Sequence, residues 1–80
     1  MIKINKNKKE VSVVLKERFY PEKNVSEAIK DFQDICSIKK NKEELILKPK
    51  SDDVELETIG YEFCNYVLGL INNEKGDSDE

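Results

Sequence analysis

Histidine is absent from this chain of 80 residues, which also has only three glycines, two prolines and two cysteines. A tetrahedral zinc site needs four nitrogen or sulfur ligands, and Cys36 and Cys64 stand far apart, so the sequence predicts no metal site. Without a histidine base, a glycine-rich phosphate loop or an activated nucleophile, catalysis has no visible machinery. We therefore expect no catalytic residues and no cofactor, and we do not predict an enzyme.

Long apolar runs are missing as well. Residues 1–9 carry lysines but lack the apolar segment of a signal peptide, and no stretch of about 18 apolar residues is present to span a membrane. We expect a cytoplasmic protein. Cys36 and Cys64 fall on apolar stripes, so we interpret them as buried small hydrophobic residues, with a disulfide as the alternative.

Positive charge is not in excess, because 14 basic residues face 17 acidic ones and the net charge is −3. A nucleic-acid-binding domain carries a basic excess on one face, so this class is disfavoured. Lysines nevertheless form two clusters, at Lys3, Lys6, Lys8 and Lys9 and at Lys39, Lys40 and Lys42. We interpret them as solvated lysines that block aggregation at sheet edges, with a weak surface for an anionic partner as the alternative.

The first half of the chain predicts a strand followed by a helix. Apolar residues alternate over residues 10–16, which is the pattern of a half-buried strand, and Ile2 and Ile4 suggest a short extra strand pairing with it. Asn24 and Glu27 have the spacing of a capping box, so we expect a helix to start at Val25. Its inward stripe is expected to be Val25, Ala28, Ile29, Phe32 and Cys36.

The second half predicts a hairpin and a closing helix. Residues 35–40 and 43–48 are expected to form two strands, joined by a turn at Asn41 and Lys42. The side chains of residues 51–53 are suited to capping a last helix, which we expect to run to about Ile71. Residues 72–80 are predicted to be a disordered acidic tail.

These elements define the expected fold. Residues 1–71 make a single α+β domain, a two-layer β-α-β-β-α arrangement with a small mixed sheet and two helices on one face. A right-handed crossover followed by a hairpin lets the last predicted strand lie between the other two, antiparallel to both.

The closing helix is predicted to have apolar residues on two faces. At 100° per residue one arc forms the core face, which comprises Leu56, Ile59, Gly60, Phe63, Val67, Leu70 and Ile71. The opposite arc holds Tyr61, Asn65, Leu68 and Gly69, with Glu62 alongside. Scattered surface apolar residues are one explanation of this second stripe. The other is a face for a second chain, because glycine permits close approach and tyrosine is enriched at interfaces.

At these residues the chain resembles a known family. Tyr20 at the end of the first strand, Ala28 in the first helix and the pattern Glu62-Phe63-x-Asn65-x-x-Leu68 in the last are similar to the HxsD-like proteins. Those are small accessory proteins of the His-Xaa-Ser system, encoded beside radical S-adenosylmethionine enzymes that are thought to modify peptides. The resemblance covers roughly residues 10–71 and implies a non-catalytic accessory protein. It adds Tyr20 and Glu62 to the candidate partner-binding residues.

We therefore expect an accessory protein that binds a peptide or protein partner, a radical S-adenosylmethionine enzyme or its substrate peptide. Two mechanisms are open: an edge strand that captures an extended peptide, or the outward stripe of the last helix docking a partner's helix. The alternatives are a small homodimeric structural protein and a weak nucleic-acid-binding regulator.

Overall fold

The computed structural model describes the backbone of residues 2–79 and the side chains of residues 2–73. Four strands and two helices follow one another in the order β1 (Ile2–Asn5), β2 (Glu10–Val14), α1 (Glu22–Phe32), β3 (Cys36–Asn41), β4 (Glu44–Pro49) and α2 (Leu56–Asp79).

The four strands form one sheet in the order β1-β2-β4-β3. As expected, β4 lies between β2 and β3 and is antiparallel to both, and the short extra strand β1 pairs antiparallel with β2. The α+β fold is thus confirmed, but the sheet is antiparallel throughout rather than mixed. The reason is that β2 and β3, which run in the same direction, are separated by β4 and never become neighbours.

Both helices cover the same face of the sheet. Helix α2 contacts β1, β2 and β4, whereas α1 contacts β3 and packs against α2. The period-2 alternation of β2 and β4 sends Val11, Val13, Leu45 and Leu47 under the helices, where all four are almost fully buried. The rings of Phe32 and Phe63 meet edge to face, with centroids 5.1 Å apart, and join the two helices.

Helix α1 begins three residues earlier than expected. Pro21 occupies the N-cap position and its carbonyl accepts hydrogen bonds from the backbone N–H groups of Asn24 and Val25. The expected capping box of Asn24 and Glu27 is therefore wrong, because Asn24 lies inside the first turn and is buried. Proline is compatible with this start, because the N–H group that it lacks would have no partner within the helix at that position.

The hairpin of β3 and β4 is shifted by one residue from its expected position. Its turn is formed by Lys42 and Glu43 rather than by Asn41 and Lys42, and the positive φ of 58° falls on Lys42. Both strands move together, so the same side chains still face the core, and the pair Asn41 and Glu44 joins the ladder. Cys36 belongs to β3 rather than to α1, but it is buried as expected and its thiol donates to the carbonyl of Phe32.

Helix α2 begins later and ends later than expected. Ser51 accepts a hydrogen bond from the backbone N–H of Asp53 within a loop, so these residues do not cap the helix, which begins at Leu56. The loop is longer because Val54 packs against the core before the helix starts. At the other end the backbone stays helical through Asp79, where we expected a helix end near Ile71 and a disordered tail over residues 72–80. No proline stands in this stretch to stop the helix.

Candidate partner-binding site

The outward face of α2 presents apolar side chains to solvent. Tyr61 is 64% exposed and Leu68 is 40% exposed, and Asn65 lies between them on an exposed position. Glu62 is exposed beside them. The core face of the same helix is buried at Ile59, Gly60, Phe63 and Val67, so the predicted phase of α2 is confirmed. Tyr61 and Leu68 are seven residues apart and therefore lie on one line along the helix.

Helix α2 contains two glycines among residues 2–73, Gly60 and Gly69, and their surroundings differ. A Cβ atom on Gly60 would lie 3.2 Å from Cγ2 of Val11 and 3.3 Å from Cγ2 of Ile2, so this glycine lets the helix approach β1 and β2 closely. A Cβ atom on Gly69 would meet nothing within 4 Å. Gly60 therefore has a packing role inside the domain, whereas Gly69 borders open space beside Leu68.

Tyr20, the remaining candidate residue, lies elsewhere. It is half-buried against the core and lines a cleft of about 280 Å³ whose lining includes no residue of α2. Leu15, Val25 and Leu45 supply apolar walls to this cleft, and charged residues stand at its margin. One of them, Lys40, pairs with Glu22 across 3.5 Å. The structure thus brings Tyr61, Glu62, Asn65, Leu68 and Gly69 together on one helix and separates Tyr20 from them.

Tyr66 has a role that the sequence reasoning missed. Its hydroxyl donates to a carboxylate oxygen of Asp31, and this hydrogen bond raises the pKa of the tyrosine above its ordinary value. Its ring also stacks edge to face on Phe32, with centroids 5.3 Å apart. Tyr66 follows Phe63 by three residues, a spacing that places it at the border of the core face. This position at the border of the core face was the signal from which the sequence could have indicated a packing role for Tyr66. The residue ties α2 to α1 and does not form part of the outward stripe.

The thiols of the domain are poorly suited to nucleophilic chemistry. Cys36 is buried and Cys64 is half-buried, both are free, and burial raises the pKa of each thiol above its ordinary value. The thiolate is the reactive form, so burial suppresses reactivity at neutral pH. Within residues 2–73 no cluster of three or more potential metal-ligating side chains occurs.

Each of the two lysine clusters contributes one lysine to an ion pair. Lys9 pairs with Asp52 at 3.4 Å and Lys40 pairs with Glu22. The other members of the two clusters form no ion pair with any residue whose side chain the structure describes; they are Lys3, Lys6 and Lys8 in the first and Lys39 and Lys42 in the second. Unpaired lysines therefore remain in both clusters, on β1 with the turn that follows it and on the β3–β4 hairpin.

The fold and these surfaces define the class of the protein as a small two-layer α+β domain. Comparison with protein-family models, with curated proteins and with solved structures found no match. None of the helices, over the residues that the structure describes, is long and apolar enough to cross a membrane.

Proposed function

We propose that this protein is a non-catalytic accessory protein that binds a protein partner through the outward face of α2. The residues of this binding face are Tyr61, Glu62, Asn65, Leu68 and Gly69. The observation that carries the proposal is the exposure of Tyr61 and Leu68 on the side of the helix opposite the core. Neither side chain belongs to the hydrophobic core of the domain or to the residues packed against it.

The composition of the face supports a helix as the docking element. Tyrosine combines apolar area with a polar hydroxyl and is enriched at interfaces. The open space at Gly69 permits a partner helix to approach the backbone of α2. Asn65, exposed between the two apolar residues, is suited to fixing the register of a partner through a hydrogen bond.

The partner we propose is a radical S-adenosylmethionine enzyme or the peptide that it modifies. This part rests on the resemblance of the Glu62-Phe63-x-Asn65-x-x-Leu68 pattern to HxsD-like proteins. A cytoplasmic location belongs to the same proposal. Tyr20 is included as a second contact, because its cleft is large enough to take one apolar side chain of a partner.

The test uses the double variant Asn65→Ala with Leu68→Asp in a pull-down with the radical enzyme encoded beside the gene. Exposed substitutions of this kind usually change the free energy of unfolding by less than about 0.5 kcal/mol, so the fold should persist. A charge forced into an apolar contact costs several kcal/mol, so binding should be lost. Ile35→Asp is the matched control, because Ile35 is 45% exposed and lies outside α2.

The outcomes separate the parts of the proposal. Loss of binding in the double variant, with binding kept in the Ile35→Asp control, supports the outward face as the partner site. Equal binding by the wild type, the double variant and the Ile35→Asp control would show that the outward face is not the partner site. A gene neighbourhood without a radical enzyme contradicts the proposed partner. Sedimentation that shows a dimer, dissolved by the double variant, identifies the occupant of the face as a second copy.

A further inference from the structure

The free edge of β1 presents unpaired backbone groups at defined residues. Leu15 donates its N–H to the carbonyl of Glu43 on the β4 side, so odd-numbered residues of β2 point their backbone groups toward β4. Along a strand these directions alternate, and the even-numbered residues of β2 therefore point toward β1. Their partners there are Lys3 and Asn5. It follows that Ile2 and Ile4 point their N–H and C=O groups outward.

The side chain of Ile4 makes this edge apolar on the helix side. Ile4 pairs with Val11, which is buried under α2, so its side chain faces the helix layer, yet it remains 37% exposed. Gly60 holds α2 close to Ile2 and Val11 at this edge. Cys64, one turn after Gly60, is only half-buried and continues the apolar surface along the helix.

The other side of the same edge is basic. Lys3 pairs with Ser12, so it points to the face of the sheet that the helices leave uncovered, and it forms no ion pair within residues 2–73. Lys6 and Lys8 lie in the following turn and are likewise without one. Two acidic residues, Glu10 on β2 and Glu44 on β4, line the same depression as Lys3 and Lys6. Both stand on inner strands, so the charges at the edge itself are those of the lysines.

The opposite edge of the sheet, on β3, is better protected. Both edge strands carry lysine on the uncovered face, Lys3 on β1 and Lys39 on β3, so the difference between the edges lies on the helix side. Lys40 faces the helix layer, where β1 carries Ile4, and its amine is bound to Glu22 of α1. The large exposed apolar residues include none from β3. The two edges therefore differ in their helix side: β1 has the exposed apolar side chain of Ile4 there, against which a docked strand could pack, and β3 has Lys40.

We propose that the free edge of β1 binds an extended peptide segment in which apolar and acidic residues alternate. The backbone groups of Ile2 and Ile4 supply strand-like hydrogen bonds, Ile4 receives the apolar side chains, and Lys3 and Lys6 receive the acidic ones. A second copy of this chain fits less well, because antiparallel pairing of two β1 strands through Ile2 and Ile4 places Lys3 of one copy opposite Lys3 of the other. This site is separate from the outward face of α2.

The test titrates the isotope-labelled protein with two capped hexapeptides, one alternating valine and glutamate and one alternating valine and lysine. We expect the glutamate peptide to shift the amide signals of β1 and to bind more weakly as salt rises. The lysine peptide should bind roughly tenfold more weakly or not at all. The Asn65→Ala and Leu68→Asp variant should bind the glutamate peptide as the wild type does, which separates this site from the α2 face.

Ile4→Pro is the decisive variant, because it deletes an outward N–H without touching the ladder to β2. It should weaken the glutamate peptide roughly fivefold to tenfold, since one hydrogen bond and one apolar contact are lost. Ile4→Ala keeps the N–H and should weaken it less. If Ile4→Pro does not fold, Lys3→Glu replaces it and should abolish the preference for the glutamate peptide.

Three results would overturn the proposal. They are equal binding of the two peptides, unchanged binding by Ile4→Pro or Lys3→Glu, and amide shifts confined to elements other than β1. A dimer in sedimentation that Ile4→Pro dissolves would also overturn it, because the occupant of the edge would then be a second copy.

Discussion

The two glycines of α2 allow one substitution to be compared at two positions of the same helix. Replacing glycine by alanine in a helix interior stabilises it by about 1 kcal/mol, because alanine loses less backbone entropy on folding. At Gly69 nothing stands within 4 Å of the added methyl group, so the full gain is expected. For a domain of this size that corresponds to a rise in Tm of roughly 4–8 °C.

At Gly60 the same gain is opposed by packing. The added methyl group would lie 3.2 Å from Val11, which is fully buried and cannot move aside, and 3.3 Å from the more adaptable Ile2. Overpacking of this kind costs roughly 1–3 kcal/mol. We therefore expect Gly60→Ala to lower the free energy of unfolding by up to about 2 kcal/mol, so that the two variants change stability in opposite directions.

Thermal and urea unfolding followed by circular dichroism measure both effects. Equal stabilisation by the two substitutions would refute the reasoning, because α2 would then not lie over β1 and β2 through Gly60. Gly69→Ala also reports on function. It should bind the partner more weakly than wild type while being more stable, since the methyl group fills the space that a partner helix uses.

Two further predictions concern buried and half-buried side chains. Phe63→Ala should lower the free energy of unfolding by about 3–5 kcal/mol, because Phe63 is fully buried against Phe32. Urea unfolding checks this, and a loss below about 1 kcal/mol would mean that the phase of α2 is wrong. Thiol labelling of the native protein at pH 8 should be slow, because burial raises the pKa of both thiols above its ordinary value and so lowers the fraction of reactive thiolate at Cys36 and Cys64. Labelling at the rate of an exposed thiol would contradict the burial of that cysteine.

The hydrophobic pattern alone determined the layers of the fold. Alternation at Val11 and Val13 predicted a half-buried strand, and the spacing of Ile59, Phe63 and Val67 predicted the buried face of α2. Both are confirmed, because a side chain's direction follows from the period of its own element. The outward position of Tyr61 and Leu68 followed from the same period.

Element ends and contacts between distant segments were decided only by the tertiary structure. Helix α1 starts where Pro21 accepts two backbone hydrogen bonds, and α2 starts only after Val54 has reached the core. The bond from Tyr66 to Asp31 joins residues 35 positions apart, and no local pattern encodes such a pairing. The open edge of β1 likewise depends on the strand order, which is set by how the sheet assembles around one shared core.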